Sequence, residues 1–279
     1  MAILPSSNNL YAGSAIPALQ SHPKRAAINA RDPTTNRLIA ALPAAEFQRW
    51  LPMLEFVEMK QGDLLYEAGQ KLNYVFFPTT AMISLQYGLA NGHSSEIAVI
   101  GKEGVVGASV FMVDGPSYSN AEVQIAGQGF RLKAGLIKQF FNDGGPAVDL
   151  VLRYTQALMT QMALTAVCNR HHNLEQQFCR WLLLSLDRIP TNEMCITHEL
   201  LGHMLGVRRE GITSCASRLQ KKGVIRYARG RITVLNRPAL EEQACECYEV
   251  GKQAYERLLP ENLQPSDRTW PPFMRSNAA

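Results

Sequence analysis

The sequence predicts an α+β fold, in which a roll of short β-strands is followed by a long helix and a compact C-terminal unit. Three observations predict this order. Short β-like runs with turn residues between them fill residues 54–132, and an apolar row at helical spacing follows residues 144–146. Near the C-terminus, two helical patterns and two strand patterns share a strongly basic stretch. The 279 residues suffice for one large domain or two ordinary ones.

The composition is that of a soluble globular protein, with 46% hydrophobic and 19% charged residues. No run of about 18 apolar residues occurs, so we expect no membrane span. The N-terminus lacks the basic start and apolar core of a secretory signal, and we expect a cytoplasmic protein.

All of the cysteines lie beyond residue 167, and we interpret them as reduced thiols without a metal or cofactor. Cys245 and Cys247 are too close in sequence to clamp much by themselves, although a metal or redox role stays an alternative. The six are Cys168, Cys179, Cys195, Cys215, Cys245 and Cys247.

The net charge of +4 conceals a strong asymmetry. Residues 207–231 hold eight basic residues and one acid, Glu210, which gives this basic stripe a charge of +7 and leaves −3 for the rest. A concentrated stripe on a weakly acidic body is typical of a protein that binds a polyanion. Charge alone does not separate this hypothesis from a merely solvated basic surface.

The N-terminal half divides into a tail and the roll. Residues 1–35 show no sustained period and are predicted to form a mobile tail. Residues 36–143 form the predicted roll domain, which opens with two short helices separated at Leu42-Pro43. Within the roll, Asn91-Gly92 predicts a hairpin, because both residues tolerate positive φ.

Residues 144–188 are predicted to form a long helix and a hinge. Because a small roll cannot bury so long a helix alone, it either spans two domains or pairs with a copy of itself. A second helical run ends at Ile189-Pro190, and four ionic residues on it suggest one network that sets domain orientation. The apolar row contains Leu150, Tyr154, Leu158, Met162 and Ala166, and the network would contain Glu175, Arg180, Asp187 and Arg188.

Residues 189–240 carry the motif that predicts the function. Thr197 is a helix N-cap, Gly202 allows a close helix crossing, and Gly206 ends the first helix. This spacing is typical of a DNA-binding helix-turn-helix, and two strands joined at Arg229-Gly230 add a wing. The alternative is a structural helical hairpin that binds a protein.

The second helix would enter the major groove, with its N-terminal turn offering amides to phosphate. Arg can contact guanine and Glu can accept from cytosine. The residues predicted to point at base edges are Arg209, Glu210, Thr213 and Ser214. The residues predicted to face the phosphate backbone are Arg208, Arg218, Lys221, Lys222 and Arg229.

With these parts in order, residues 36–240 resemble the Crp/Fnr superfamily of transcription regulators. The resemblance is most specific from Ile196 to Ile212. It implies a cyclic-nucleotide-binding-like double-stranded β-helix, a homodimer paired through the long helix, and a palindromic site on double-stranded DNA. Arg209 and Glu210 match the base-reading pair of the cyclic-AMP receptor branch. Ser214 stands where that branch has an Arg, so we expect a different operator.

The effector site departs from the family pattern. Ala108, after Gly107, stands where cyclic-nucleotide binders have a Glu, and Ser119, before Asn120, stands where they have an Arg. Because serine cannot replace an Arg–phosphate ion pair, we expect no tight binding of cyclic AMP, and the effector is unknown. A pocket remodelled for another ligand stays an alternative.

Other sensing groups are not favoured. The N-terminal cysteines that the iron–sulfur branch needs are missing, and His93 is interpreted as a solvated loop residue. His171-His172 lies near the hinge, where ordinary packing is expected and a pH or metal switch is the alternative.

We therefore predict a DNA-binding transcription regulator, with RNA polymerase as a further candidate partner. The alternative is a sensor or protein-interaction module in which DNA contact is secondary. No P-loop, nucleophile elbow or set of clustered metal ligands is visible, so an enzyme is not expected. The remaining residues, 241–279, are predicted to continue a helix that begins near Pro238 and to end in a disordered tail.

Overall fold

The computed structural model describes residues 29–90, 94–112 and 115–259, and these confirm the α+β fold class. Most of the predicted N-terminal tail and the end of the C-terminal tail lie outside these residues, as do Asn91, Gly92 and His93. None of the described helices is long and apolar enough to cross a membrane.

The roll consists of seven antiparallel strands in two sheets. One sheet has the order β1-β7-β3 and the other β2-β6-β4-β5, and their inner faces enclose one apolar core. β4 and β5 are consecutive and pair from Gly88 with Ser94, which fits the predicted hairpin. The strands are β1 (Glu55–Met59), β2 (Leu64–Tyr66), β3 (Tyr74–Pro78), β4 (Met82–Gly88), β5 (Ser94–Ile100), β6 (Asn120–Ile125) and β7 (Gly127–Lys133).

Two short helices, α1 (Arg37–Ala40) and α2 (Ala44–Trp50), precede the roll and confirm the break at Leu42-Pro43. The buried side chain of Asn36 caps α1 by accepting from two amides, and it donates to the carbonyls of Pro78 and Gly104. A 3₁₀ turn at residues 33–35 leads into this cap, so this last part of the predicted mobile tail is ordered structure.

The helical segment begins earlier than predicted, with α3 (Ala134–Asn142), and continues through α4 (Pro146–His171) and α5 (Leu174–Arg188). The N-terminal part of the apolar row on α4 packs on the roll: Tyr154 is fully buried, and its hydroxyl donates to the Val105 carbonyl. Ala166, at the other end of the row, is exposed because α4 has passed the core by then.

The C-terminal unit has one strand more than predicted. β8 (Glu193–Cys195) pairs with β10 beside β9, and this three-stranded sheet supports the two helices of the motif. Its elements are β8, α6 (His198–Leu205), α7 (Arg209–Lys221), β9 (Ile225–Ala228) and β10 (Arg231–Val234).

The single helix predicted after the wing is wrong. The chain forms α8 (Arg237–Gln243) and α9 (Cys247–Leu258), because Ala244 leaves the helical region with ψ of 163°. α9 then packs back against α4.

The predicted ionic network on α5 is also wrong as a single network. Glu175 pairs with α7, Asp187 pairs with Arg237, and Arg188 pairs with Glu103 of the roll. These partners lie on different elements, so α5 is tied to each neighbour by a separate ion pair.

Glu96 on β5 forms a second tie between the roll and α5. Its carboxylate is buried and accepts from Ser84 Oγ at 2.7 Å and from Trp181 Nε1 at 3.0 Å. Burial raises the pKa of Glu96 to about 7, although these two hydrogen bonds and the charges of Arg180 and Arg188 oppose the shift.

This pKa predicts that stability falls with rising pH. Between about pH 4.5 and 7 the folded protein keeps a proton that an unfolded glutamate releases, which removes up to about 3 kcal/mol of stability across the window. We expect Glu96→Gln to lack this part of the slope in urea unfolding measured at several pH values. Parallel slopes for the wild type and the variant would contradict the prediction.

Candidate nucleic-acid interface

α6 and α7 form the predicted helix-turn-helix, and its geometry depends on two glycines. Gly206 ends α6 in the left-handed region with φ of 65°. A Cβ on Gly202 would lie 2.8 Å from the carbonyl oxygen of Val207, so only glycine allows this approach of the turn. Thr197 caps α6 as predicted, because its Oγ1 accepts from the Leu200 amide.

The exposed face of α7 lines one shallow groove. It brings together six of the predicted DNA-contacting residues and adds Ser217, which lies on the same face, three residues after Ser214. Arg208 is the N-cap of α7, and Arg229 lies at the tip of the wing. The groove is lined by Arg209, Glu210, Thr213, Ser214, Ser217, Arg218 and Lys221.

Two of the three hydroxyls in this groove, those of Thr213 and Ser214, already have partners within the protein. Thr213 Oγ1 donates to the Arg209 carbonyl at 3.0 Å, and Ser214 Oγ accepts from Arg218 Nη1 at 2.8 Å. Arg209 and Glu210 form no ion pair with any described residue. Their charged groups are therefore not neutralised by another described residue.

His198, which is not among the predicted site residues, joins three elements. It is the first residue of α6, its Nδ1 lies 2.9 Å from Thr213 Oγ1 on α7, and its ring stacks on Tyr227 of the wing at 3.9 Å. Desolvation lowers the pKa of His198, and Arg209 adds to the shift, so the ring is neutral at pH 7. His198 thus positions the recognition helix without adding charge.

Part of the basic stripe is neutralised internally. Glu175 accepts from Arg218 Nε at 2.6 Å and from Lys222 Nζ at 3.1 Å, and Arg218 holds the pKa of this carboxyl below its usual value. Arg231 likewise pairs with Glu193 at 2.6 Å. Five cations of the stripe form no ion pair with a described residue: Arg208, Arg209, Lys221, Arg226 and Arg229.

The wing turns through two residues between β9 and β10. Arg229 has φ of 50° and Gly230 has φ of 74°, and positive φ at both positions is the requirement of a tight type I′ hairpin. The predicted turn at Arg229-Gly230 is confirmed, and it holds an arginine in a conformation that costs a non-glycine residue about 1 kcal/mol.

The four residues of the degenerate effector site lie in the roll and carry no charge. Gly107 has φ of 95°, and Ala108 is buried at the start of a 3₁₀ turn. Asn120 Oδ1 accepts from the Ala68 amide at 2.8 Å, and Ser119 hydrogen-bonds Tyr66. These side chains therefore offer no group that would neutralise a phosphate.

Glu103, which lies close to this site in sequence, forms an ion pair with α5. Its carboxylate lies 2.7 Å from Arg188 Nε at the junction with α5. It is therefore not available to replace the missing glutamate of the effector site.

Comparison with known proteins places this geometry in a family. The family model of the Crp-like helix-turn-helix domain matches residues 176–243. No curated protein sequence matches the chain.

Solved structures match more of the chain. A regulator of the Crp/Fnr family from Eubacterium rectale is 18% identical, with a TM-score of 0.59, over 75% of this chain and 98% of that one. FixK2 from Bradyrhizobium japonicum is 16% identical, with a TM-score of 0.57, over 69% and 98%. A CRP-family regulator from Thermus thermophilus is 18% identical, with a TM-score of 0.54, over 67% and 96%. These likenesses show the fold.

The chain thus combines a Crp-like helix-turn-helix domain at residues 176–243 with a fold that it shares with solved structures of the Crp/Fnr family.

One substitution in the wing can remove a positive charge without disturbing the turn. We expect Arg229→Asn to keep or raise stability, since Asn-Gly favours the type I′ turn. If Arg229 contacts phosphate, DNA affinity should fall severalfold, and the slope of log affinity against log salt should become shallower by about 0.9. Fluorescence anisotropy at several salt concentrations measures both effects.

Arg257→Gln is the matched control, because it removes an exposed cation from α9, outside the basic stripe. It should change neither the affinity nor the slope. Full affinity and an unchanged slope for Arg229→Asn would show that the wing does not contact DNA.

Proposed function

We propose that this protein is a dimeric, sequence-specific DNA-binding regulator that reads a two-fold-related site with α7. The observation that carries the proposal is the groove on α7, where Arg209 and Glu210 stand at the helix N-terminus beside Arg208 and near Lys221, neither of which forms an ion pair with a described residue. Helix N-termini favour phosphate, and this Arg–Glu pair can read guanine and cytosine edges. Contact with RNA polymerase stays a prediction.

The long helix supports the proposal of a dimer. Leu152, Met159 and Val167 on α4 are 46%, 59% and 48% exposed, although each is a large apolar side chain. With Gln156 and Ala163 they form a stripe at heptad-like spacing on the side facing away from the roll. A second copy of α4 would cover this stripe, as the family resemblance implies.

The roll supports a response to something other than cyclic AMP. Ala108 and Ser119 supply neither the carboxylate for a ribose hydroxyl nor the cation for a cyclic phosphate. Among the similar structures, one is described as a regulator responsive to cyclic di-GMP, at 11% identity. The family fold thus accommodates different signals, and we leave the effector of this chain unassigned.

Selection of bound DNA from a random pool tests the proposed function. We expect an enriched palindrome whose half-sites are about one helical turn apart, because two copies of α7 would enter successive major grooves. Affinity for the enriched site should fall steeply with salt. No enrichment, together with retention that does not depend on salt, would refute the proposal.

The double variant Leu152→Glu/Met159→Glu tests the proposed dimer in the same selection experiment. Two carboxylates on the α4 stripe should give a monomer in sedimentation analysis and remove the two-fold pattern from the selected DNA. Leu64→Glu is the control, since Leu64 is 50% exposed on β2 and lies outside the stripe. A monomeric wild type would contradict the proposed dimer without touching the assignment of α7.

Calorimetry with cyclic AMP and cyclic GMP tests the effector proposal. We expect no binding in the micromolar range, because an Arg–phosphate pair cannot be replaced by Ser119 at similar strength. Micromolar affinity for either nucleotide would overturn this part of the proposal.

A further inference from the structure

Four potential metal ligands, far apart in sequence, meet at the end of the long helix. Cys168 lies in the last turn of α4 and His172 caps that helix, while Cys245 lies between α8 and α9 and Cys247 begins α9. Their ligand atoms all lie within 4.8 Å of one another. No clustered metal ligands are visible in the sequence, where a metal role of the cysteines is only the alternative, whereas the fold brings these four side chains together.

The distances suit a tetrahedral ion. Cys168 Sγ and Cys245 Sγ are 3.5 Å apart, and Cys247 Sγ is 3.6 Å from His172 Nδ1. Zinc–sulfur bonds of about 2.3 Å at tetrahedral angles place neighbouring ligand atoms about 3.8 Å apart. A disulfide would join only Cys168 and Cys245, and it would leave the other two groups without a role.

The surroundings of the cluster are those of a closed site. The three cysteines are at most 5% exposed and form a small cluster separate from the two main cores. Three thiols and one imidazole fill all four tetrahedral positions, and soft thiolate ligands select zinc over magnesium or calcium.

Groups outside the cluster hold its ligands in place. Glu246 Oε2 lies 3.3 Å from His172 Nε2, so the carboxylate can accept a hydrogen bond from Nε2–H, which leaves Nδ1 unprotonated and facing the sulfurs. Gln177 Nε2 donates to the carbonyls of His172 and Cys168 at 2.8 and 3.4 Å, which fixes the end of α4. Metal-bound histidines almost always donate their other ring N–H to a carboxylate, a backbone carbonyl or water.

We propose that Cys168, His172, Cys245 and Cys247 bind one structural zinc ion that pins the α8–α9 connection to the end of α4. Such an ion crosslinks the helix proposed to form the dimer with the segment that follows the DNA-binding unit. Its contribution is to folding and to the relative placement of these elements, since a four-ligand site leaves no position open for catalysis.

Zinc content of the full-length protein tests the proposal directly. Purified under reducing conditions from zinc-supplied cells, the wild type should carry about one zinc per chain by elemental analysis. Cys168→Ser and Cys247→Ser should lose it, whereas Cys195→Ser should keep it, because Cys195 is exposed and outside the cluster. Wild-type protein without zinc, or a Cys168→Ser variant that retains it, would overturn the proposal.

Cobalt replacement keeps the test decisive if a cysteine variant fails to fold. The wild type loaded with Co²⁺ should show the intense visible bands of a tetrahedral thiolate site and thiolate-to-cobalt charge transfer, and zinc should displace them. Octahedral-type weak bands would contradict the assignment. So would a mass two hydrogens lower without reductant, together with no bound metal and a peptide map that links Cys168 to Cys245, because that result identifies a disulfide instead.

Glu246→Gln tests the positioning of His172. The variant should still bind one ion, but with affinity about 10–100-fold lower in competition with a chelator, because the imidazole loses its orienting carboxylate. Glu249→Gln is the control, as it removes an exposed carboxylate one turn along α9 that pairs with Gln253. Equal zinc affinity for both variants would contradict the role of Glu246.

Discussion

The buried ion pair between Arg188 and Glu103 sets the arrangement on which the rest of the structure depends. Both side chains are nearly excluded from water, at 5% and 11% exposure, and an unpaired charge in such a place costs several kcal/mol. The end of α5 can therefore dock on the roll in few ways. Gly101 makes the approach possible, since a Cβ there would lie 2.6 Å from the Cβ of Arg188.

Beyond this ion pair, α5 also contacts the roll, the helix-turn-helix and α8 through polar side chains. Trp181 donates to Glu96 of the roll, Glu175 holds Arg218 of the recognition helix, and Asp187 holds Arg237 at the start of α8. Each tie is an ion pair or a buried hydrogen bond, and the apolar face of α5 lies in the same core as α6 and α7. Through these contacts, α5 links the position of α7 to that of the roll.

The features that could be predicted from the sequence depend on interactions between residues that are close together in the chain. Thr197, Gly202, Gly206 and the Arg229-Gly230 turn act through backbone chemistry within a few residues, so their roles are visible in the sequence. The strand β8, the break at Ala244 and the partners of the α5 charges depend on contacts between distant segments. Cys168 and Cys245 are 77 residues apart, and no spacing rule brings them together before the fold is known. His198 escaped notice because stacking on the wing is also a tertiary contact.

The carboxylate of Glu175 pairs with Arg218 and Lys222, where a DNA phosphate could otherwise bind. DNA phosphates that bind Arg218 and Lys222 must first displace the carboxylate of Glu175. This exchange is less favourable in free energy than binding to a cation that has no ion-pair partner. The attraction of the stripe to any DNA is thereby weaker than its formal charge suggests, while Arg209 and Glu210 form no ion pair with a described residue. For the proposed regulator, this pairing would lower the share of molecules held on random sequence and leave more of them for a specific site.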